Sequence, residues 1–237
     1  MDGLKENKVY AVNRVAVRVV PGKLAYAERN QIAIKENWRK QVAAKPALFD
    51  GEIFLAPRAI IENGKFSAEF QRSSFATLMF WRVDQSVDRP WHIFGSGVMV
   101  SAEGHLIAAR QANHGALGGK VYFPAGTIDD TDIFDGQVNY ETNMRREVLE
   151  ETGIDLAAAR AEASTYLVTV NRSIALFRRY YFDISTAELV GRIENYLAQQ
   201  EQSELSQIIP ISGSNDLDEK SPSYIHAFAK WHFHNAD

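Results

Sequence analysis

The chain has 237 residues, 46% hydrophobic and 24% charged, enough for one large folded domain or two modest ones and unlike a disordered chain. Its formal net charge of −4 arises from 26 basic and 30 acidic residues; no block of like charge stands out, so neither duplex nucleic acid nor anionic membrane is an expected partner. The absence of cysteine excludes disulfides, thiolate metal sites and cysteine nucleophiles, and with no signal-like start and no apolar run near the roughly 18 residues of a membrane span, a cytoplasmic setting is expected.

Residues 9–20 have strand character, with Val15, Val17 and Val19 alternating against Arg14 and Arg18. Residues 30–44 read as a helix with Ile32, Ile34, Trp38 and Val42 as buried positions, and residues 48–55 as extended. Glu62-Asn63-Gly64-Lys65 is a hairpin turn, because Asn-Gly tolerates the positive φ such turns need. Residues 75–83 form a buried strand or a short helix. The polar stretch 84–90 ends in proline and marks a soft boundary near residue 90. Residues 93–100 and 105–110 are strands, and Gly95-Ser96-Gly97 within the first indicates close packing rather than a nucleophile elbow or phosphate loop. A strand at 121–123 stops at Pro124. Residues 139–152 form a helix ended by Gly153, a favoured left-handed stop. Strands at 166–170 and 174–184 flank Asn171-Arg172-Ser173. A helix at 186–200, a strand at 206–211 and a helix at 222–233 with proline near its first turn complete the chain. The histidines His226, His232 and His234 lack zinc-helix spacing and read as surface or partner contacts. Strands interleaved with helices indicate an α/β or α+β sandwich.

The 139–152 helix leads into Arg146-Glu147-Val148-Leu149-Glu150-Glu151-Thr152-Gly153-Ile154. Residues three and four apart share a helix face, so Glu147, Glu150 and Glu151 project together, while Met144 and Val148 fall on a face suited to packing on a sheet. Three carboxylates repel one another unless a cation sits among them, and hard oxygen ligands suit magnesium or manganese. A lone E-x-x-E-E is most often a solvated acidic face. The full R-E-x-x-E-E-x-G run, expected by chance in on the order of one chain in several thousand at average composition, outweighs that reading.

Together with Gly118-Gly119-Lys120-Val121-Tyr122-Phe123-Pro124-Ala125-Gly126 upstream, this stretch resembles the Nudix box. Its second half matches through Arg146, Glu147, Val148, Glu150, Glu151, Gly153 and Ile154. Its first half departs: Asp132 stands where the glycine belongs and Val138 where the first glutamate belongs. The glycine turn resembles Pro124-Ala125-Gly126, followed by a lengthened loop at 129–137. Val138 removes the usual partner of the motif arginine, a role for which Glu141 is the substitute.

The resemblance implies an α/β (α+β) Nudix-type mixed-sheet sandwich over residues 91–237, with a smaller amino-terminal accessory region at 1–90. It implies a pyrophosphohydrolase acting on a phosphorus-containing anhydride, with Mg2+ or Mn2+ held by Glu147, Glu150, Glu151 and the backbone of Gly126. Arg146 would orient a box glutamate. Glu204, ahead of Glu201, is the expected general base, with Glu147 the next choice; Arg110 and Arg172 are expected phosphate contacts. The implied substrate is a small nucleoside diphosphate derivative, such as a nucleotide sugar or ADP-ribose, and a homodimer is a reasonable assembly. Asn37-Trp38 followed by Pro46-Ala47-Leu48-Phe49-Asp50-Gly51 is similar to a stretch in Nudix proteins that cleave nucleoside-diphosphate sugars. The alternative is a Nudix-fold regulatory module that holds a nucleotide with little or no turnover. The intact glutamates favour the enzyme.

Overall fold

The computed structural model describes residues 4–113, 118–217, 219 and 221–235. The amino-terminal stretch forms β1 (Val9–Val12) and β2 (Arg14–Val19), then α1 (Ala25–Arg29) and α2 (Gln31–Ala44). Ile34 is buried on α2, whereas Ile32, expected inside, is 77% exposed; only one stripe of this helix meets the rest of the protein. Strands β3 (Glu52–Glu62) and β4 (Lys65–Ser74) form the expected hairpin, with Asn63 and Gly64 at φ 50° and 72°. Ser74 then accepts a hydrogen bond from the Thr77 N–H and caps α3 (Phe75–Trp81), which settles the 75–83 segment as helix.

Beyond residue 90 come β5 (His92–Val100), β6 (Leu106–Gln111), β7 (Val121–Tyr122), β8 (Ile133–Phe134), β9 (Gln137–Val138) and α4 (Tyr140–Thr152). They are followed by β10 (Arg160–Ala161), β11 (Thr165–Val170), β12 (Ser173–Tyr181), α5 (Thr186–Leu197), β13 (Leu205–Ile211) and α6 (Ser223–His234). Among the described residues the result is a mixed α+β fold with two sheets. The larger runs β1-β11-β12-β5-β6-β13, with β10 on β12 and β7 on β6; the smaller runs β3-β4-β2-β9-β8. Both are mixed, since β12–β5 and β2–β4 are parallel pairs.

The boundary expected near residue 90 is crossed by strand pairing and by packing. Strand β1 pairs with β11, and β2 meets β9 at Arg18–Gln137. Val12, Phe66 and Phe70 share one core with Met144, Val148 and Leu176. A second core lies between the large sheet and α6, around Val98, Phe123, Phe177 and Phe228. A small third one under α3 gathers Leu24, Leu55, Leu78 and Trp81.

Two features of β5 set up the site. Gly95 and Gly97 lie against α4 and the segment after it: a Cβ at Gly95 would sit 2.8 Å from Tyr140 Cδ1, and one at Gly97 2.7 Å from Leu156 Cδ1. The Gly-Ser-Gly run is therefore close packing, as expected, and it seats α4 on the sheet. In addition, β5 pairs with β6 only at Met99–Ile107 and Val100–Leu106. Toward its start β5 parts from β6 and β7, and a cleft of about 780 Å³ opens there.

Candidate active site

Helix α4 is fixed at both ends by local chemistry. The Asn139 side chain accepts from the Glu141 and Thr142 N–H groups, and Gly153 closes the helix at φ 72°. Met144 and Val148 are buried toward the sheet. That orientation carries Glu147 and Glu151, 9% and 8% exposed, against the turn at 124–126. A Cβ at Gly126 would lie 2.0–2.2 Å from the Glu147 carboxylate atoms, so only glycine leaves room for that carboxylate. Tyr122 donates a hydrogen bond of 2.8 Å to Glu151 Oε2, and the Ala125 backbone N–H also reaches this group.

Burial pushes the Glu151 carboxyl up to about 8; the Tyr122 hydrogen bond opposes this, and the charges of Glu147 and Glu204 add to it. Burial likewise raises Glu147 to about 7, against the pull of Arg146 and with a further push from Glu150. Two buried carboxyls that resist ionisation together are a donor set for a cation. The donors are hard oxygens, and the Gly126 cradle keeps the Glu147 carboxylate against the turn, so the residues fit a divalent ion of the magnesium or manganese kind. Among the described residues no three His, Cys, Asp or Glu side chains are gathered tightly enough to hold an ion as they stand. Glu150, with its side chain 59% exposed, is drawn to Arg146 at 3.2 Å, which also pairs with Glu147 at 2.8 Å.

Arg146 is anchored from the other side by Asp132. This aspartate is fully buried, 2.8 Å from the guanidinium, and it accepts from Asn143 Nδ2 at 3.0 Å and the Asp129 N–H at 3.1 Å. Asp132 therefore takes the part for which Glu141 was expected. Glu141 instead pairs with Arg145 at 2.9 Å and Arg178 at 2.8 Å. The lengthened loop is what delivers the aspartate. Residues 129–132 form a capped 3-10 turn, and β8–β9 is a miniature hairpin around Asp135-Gly136 with φ 49° and 73°. An Asp-Gly pair between two short runs is a hairpin signal that the sequence carried. The pairing of Asp132 with Arg146 depended on the fold of that hairpin.

Glu204 stands on the cleft wall, its charge felt by Glu151 and Tyr122, and its carbonyl accepts from the Ala112 N–H at 2.8 Å. Helix α5 ends at Leu197, so Glu201 and Glu204 do not share a helix face, and Glu201 is exposed away from the cleft wall. The two expected phosphate arginines lie elsewhere. Strand alternation puts Gln111 in the cleft and Arg110 on the opposite face, where it donates to the Gly119 carbonyl at 2.9 Å. Arg172 stacks over the Trp91 ring at 4.7 Å and donates to the Val87 carbonyl. The cations that do line the cleft are Lys120, beside the box, and Arg82, at the far end. The same alternation marks Lys120, two positions before Tyr122 and on its side of the strand. Nothing local in the sequence marked Arg82. Of the terminal histidines, His232 is no surface residue: it is buried, with ring nitrogens within 2.9 Å of Arg179 Nη1 and 3.0 Å of the Gly104 carbonyl.

The mixed sheets, the glycine turn and the capped glutamate helix give the arrangement that the resemblance to the Nudix box implies. No protein-family model and no curated protein matches the chain. Among solved structures it is similar to the MutT protein from Methanosarcina mazei Go1, at 16% identity and TM-score 0.42 over 64% of this chain and 99% of that one. It is also similar to a bifunctional NMN adenylyltransferase/ADP ribose pyrophosphatase from Francisella tularensis, at 14% identity and TM-score 0.42. That match covers 65% of this chain and 43% of the other, so the chain spans under half of that protein. A third is the Nudix hydrolase RenU from M. smegmatis, at 10% identity and TM-score 0.37 over 62% of this chain and 90% of that one.

Proposed function

We infer that the chain is a Nudix hydrolase that cleaves the diphosphate of a nucleoside diphosphate derivative with the help of Mg2+ or Mn2+. The observation that supports this most is the pair Glu147 and Glu151, buried side by side against a glycine turn at the head of an open cleft. Glu147, Glu150, Glu151 and the Gly126 carbonyl would hold the ion. When bound, it neutralises phosphate charge and makes a water more acidic. Tyr122 fixes Glu151, Arg146 fixes Glu147, and Asp132 fixes Arg146. Lys120 and Glu204 both line the cleft; Lys120 would bear on the phosphates, and Glu204, separate from the box, would take the proton of the attacking water. Among the described residues no helix is long and apolar enough to cross a membrane.

The test is a panel of nucleoside-diphosphate-linked compounds incubated with magnesium or manganese, with phosphate measured after phosphatase treatment. Turnover of one or more members, abolished by chelator, is expected. Equal rates in excess chelator would remove the metal from the reaction. Tight binding with no turnover of any member would leave the alternative of a nucleotide-holding regulatory module.

A further inference from the structure

The cleft has two ends of different chemistry. At the box end it is lined by Glu204, Lys120 and Gly126; at the far end its wall is aromatic. His92 and Phe94 alternate with Ile93 along β5, with ring centroids 5.3 Å apart. Trp81 on α3 stands 5.7 Å from His92, and Tyr224 on α6 stands 5.5 Å from Phe94, edge to face. Arg82, next to Trp81, faces this group from the amino-terminal region. Further along β5, the Ser96 hydroxyl donates to the Phe123 and Pro124 carbonyls and so touches the box turn. From Ser96 back to His92 the strand runs four residues, about 13 Å. That is a reach which the phosphate, sugar and base of one nucleotide cover.

The charge at the far end narrows the ligand further. Burial, with Arg82 close by, holds the His92 imidazole down at about 3, so it is neutral at any working pH. Burial raises the Tyr224 hydroxyl to about 12. Arg89 also lies over Trp81 at 4.7 Å, but it is buried and donates to the Trp81, Asp84 and Asn171 carbonyls. Among the described residues Arg82 is therefore the charged group that lines this end, and a guanidinium offers N–H donors and no acceptor. Flat rings favour a flat aromatic ligand by stacking, and a donor-only edge favours a ring that carries carbonyl oxygens.

We propose that the far end of the cleft is a nucleobase subsite, built in part by the amino-terminal region, that holds the base against the aromatic wall of Phe94 and Tyr224 and selects oxo-bearing bases of the uracil or guanine type through Arg82. The subsite extends the hydrolase reading above, since it places the base while the box handles the diphosphate. Adenine presents an amino group in place of that carbonyl and is the disfavoured base. The selection belongs to a residue outside the box and outside the stretch that carries the family resemblance.

Calorimetric titration of the full chain with UMP, GMP, AMP and ribose 5-phosphate, in magnesium buffer, tests this. UMP or GMP is expected to bind at least about tenfold tighter than AMP, in line with a hydrogen bond to a charged group, and ribose 5-phosphate weakest of all. In Arg82→Leu the favoured mononucleotide falls to the level of AMP; Phe94→Leu weakens every mononucleotide alike. AMP binding as tightly as both oxo-bases, or ribose 5-phosphate matching the mononucleotides, overturns the proposal even if Arg82→Leu fails to fold. The same measurements separate it from the hydrolase reading. The ranking without turnover of any diphosphate keeps the subsite and removes the enzyme. Turnover that treats uridine-, guanosine- and adenosine-diphosphate compounds alike keeps the enzyme and removes the subsite.

Discussion

Helix α4 and the loop that precedes it, residues 124–139, are neighbours in the chain and partners in one site, yet they are specified in opposite ways. The helix is written locally: an asparagine cap, glutamates at helical spacing and a left-handed glycine stop. The loop is written at a distance. Its essential group, Asp132, acts across 14 residues on Arg146 and reaches it only because β8 and β9 fold back and dock on β2. Val138, where the resemblance puts the first glutamate of the motif, is a buried strand residue, and Arg146 pairs instead with an aspartate from the loop. The difference teaches that a helix written locally can still depend on a charge that only a folded-back segment brings to it.

If the helix carries the chemistry, its charges give the largest effects. Glu151→Gln is expected to lower turnover by at least about a hundredfold, roughly 2.7 kcal/mol or more, as for loss of one electrostatic contributor. Its melting temperature should stay near that of the parent in metal-free buffer, because a neutral amide replaces a carboxyl that burial already disfavours as an anion. Near-parental turnover would place the site elsewhere. Glu204→Gln comes next, at about a hundredfold, the lower end of what a general base supplies. Metal affinity should be unchanged, because Glu204 lies outside the box. Equal losses in Glu201→Gln would show that proximity to the cleft wall is not what matters.

What was legible in the sequence follows the same division. The box helix, its cap and stop, the Asn-Gly hairpin and the packing glycines of β5 all depend on neighbours a few residues apart. The places of Glu201 and Glu204, Arg110 and Arg172 depend instead on where α5 stops, which face a strand presents and what lies beside a turn. Arg110 differs from Gln111 only by the parity of β6, and that parity sends one side chain away from the cleft and the other into it. Arg82 and Trp81 belong to the site because α3 packs over the start of β5, a contact between segments separated by a turn and the polar stretch 84–90.

The loop's contribution should show first in stability. Asp132→Asn removes the charge opposite Arg146 but keeps an oxygen for Asn143 and Asp129. A cost of about 1–3 kcal/mol is expected, the range for leaving a buried polar group poorly satisfied; Arg146 is part-exposed, so water screens some of the loss. Urea unfolding at neutral pH measures it. A midpoint equal to the parent's would mean that the Arg146 pair contributes nothing to holding loop and helix together.

The smallest effect sharpens the comparison most. Glu141 lies in the first turn of α4, where position in the motif made it the expected partner of Arg146. Its carboxylate is about two-fifths exposed and pairs with Arg145 and Arg178. Such pairs contribute about 0.2–1 kcal/mol, so Glu141→Gln is expected to cost no more than that and to leave turnover unchanged. The double variant carries the decision. If Asp132 alone serves Arg146, the costs of Asp132→Asn and Glu141→Gln add within about 0.5 kcal/mol, as they do for sites with no shared partner. If Glu141 takes over when the aspartate is lost, the double variant is worse than the sum. The arginine would then draw on helix and loop alike, and the division between them would dissolve at this residue.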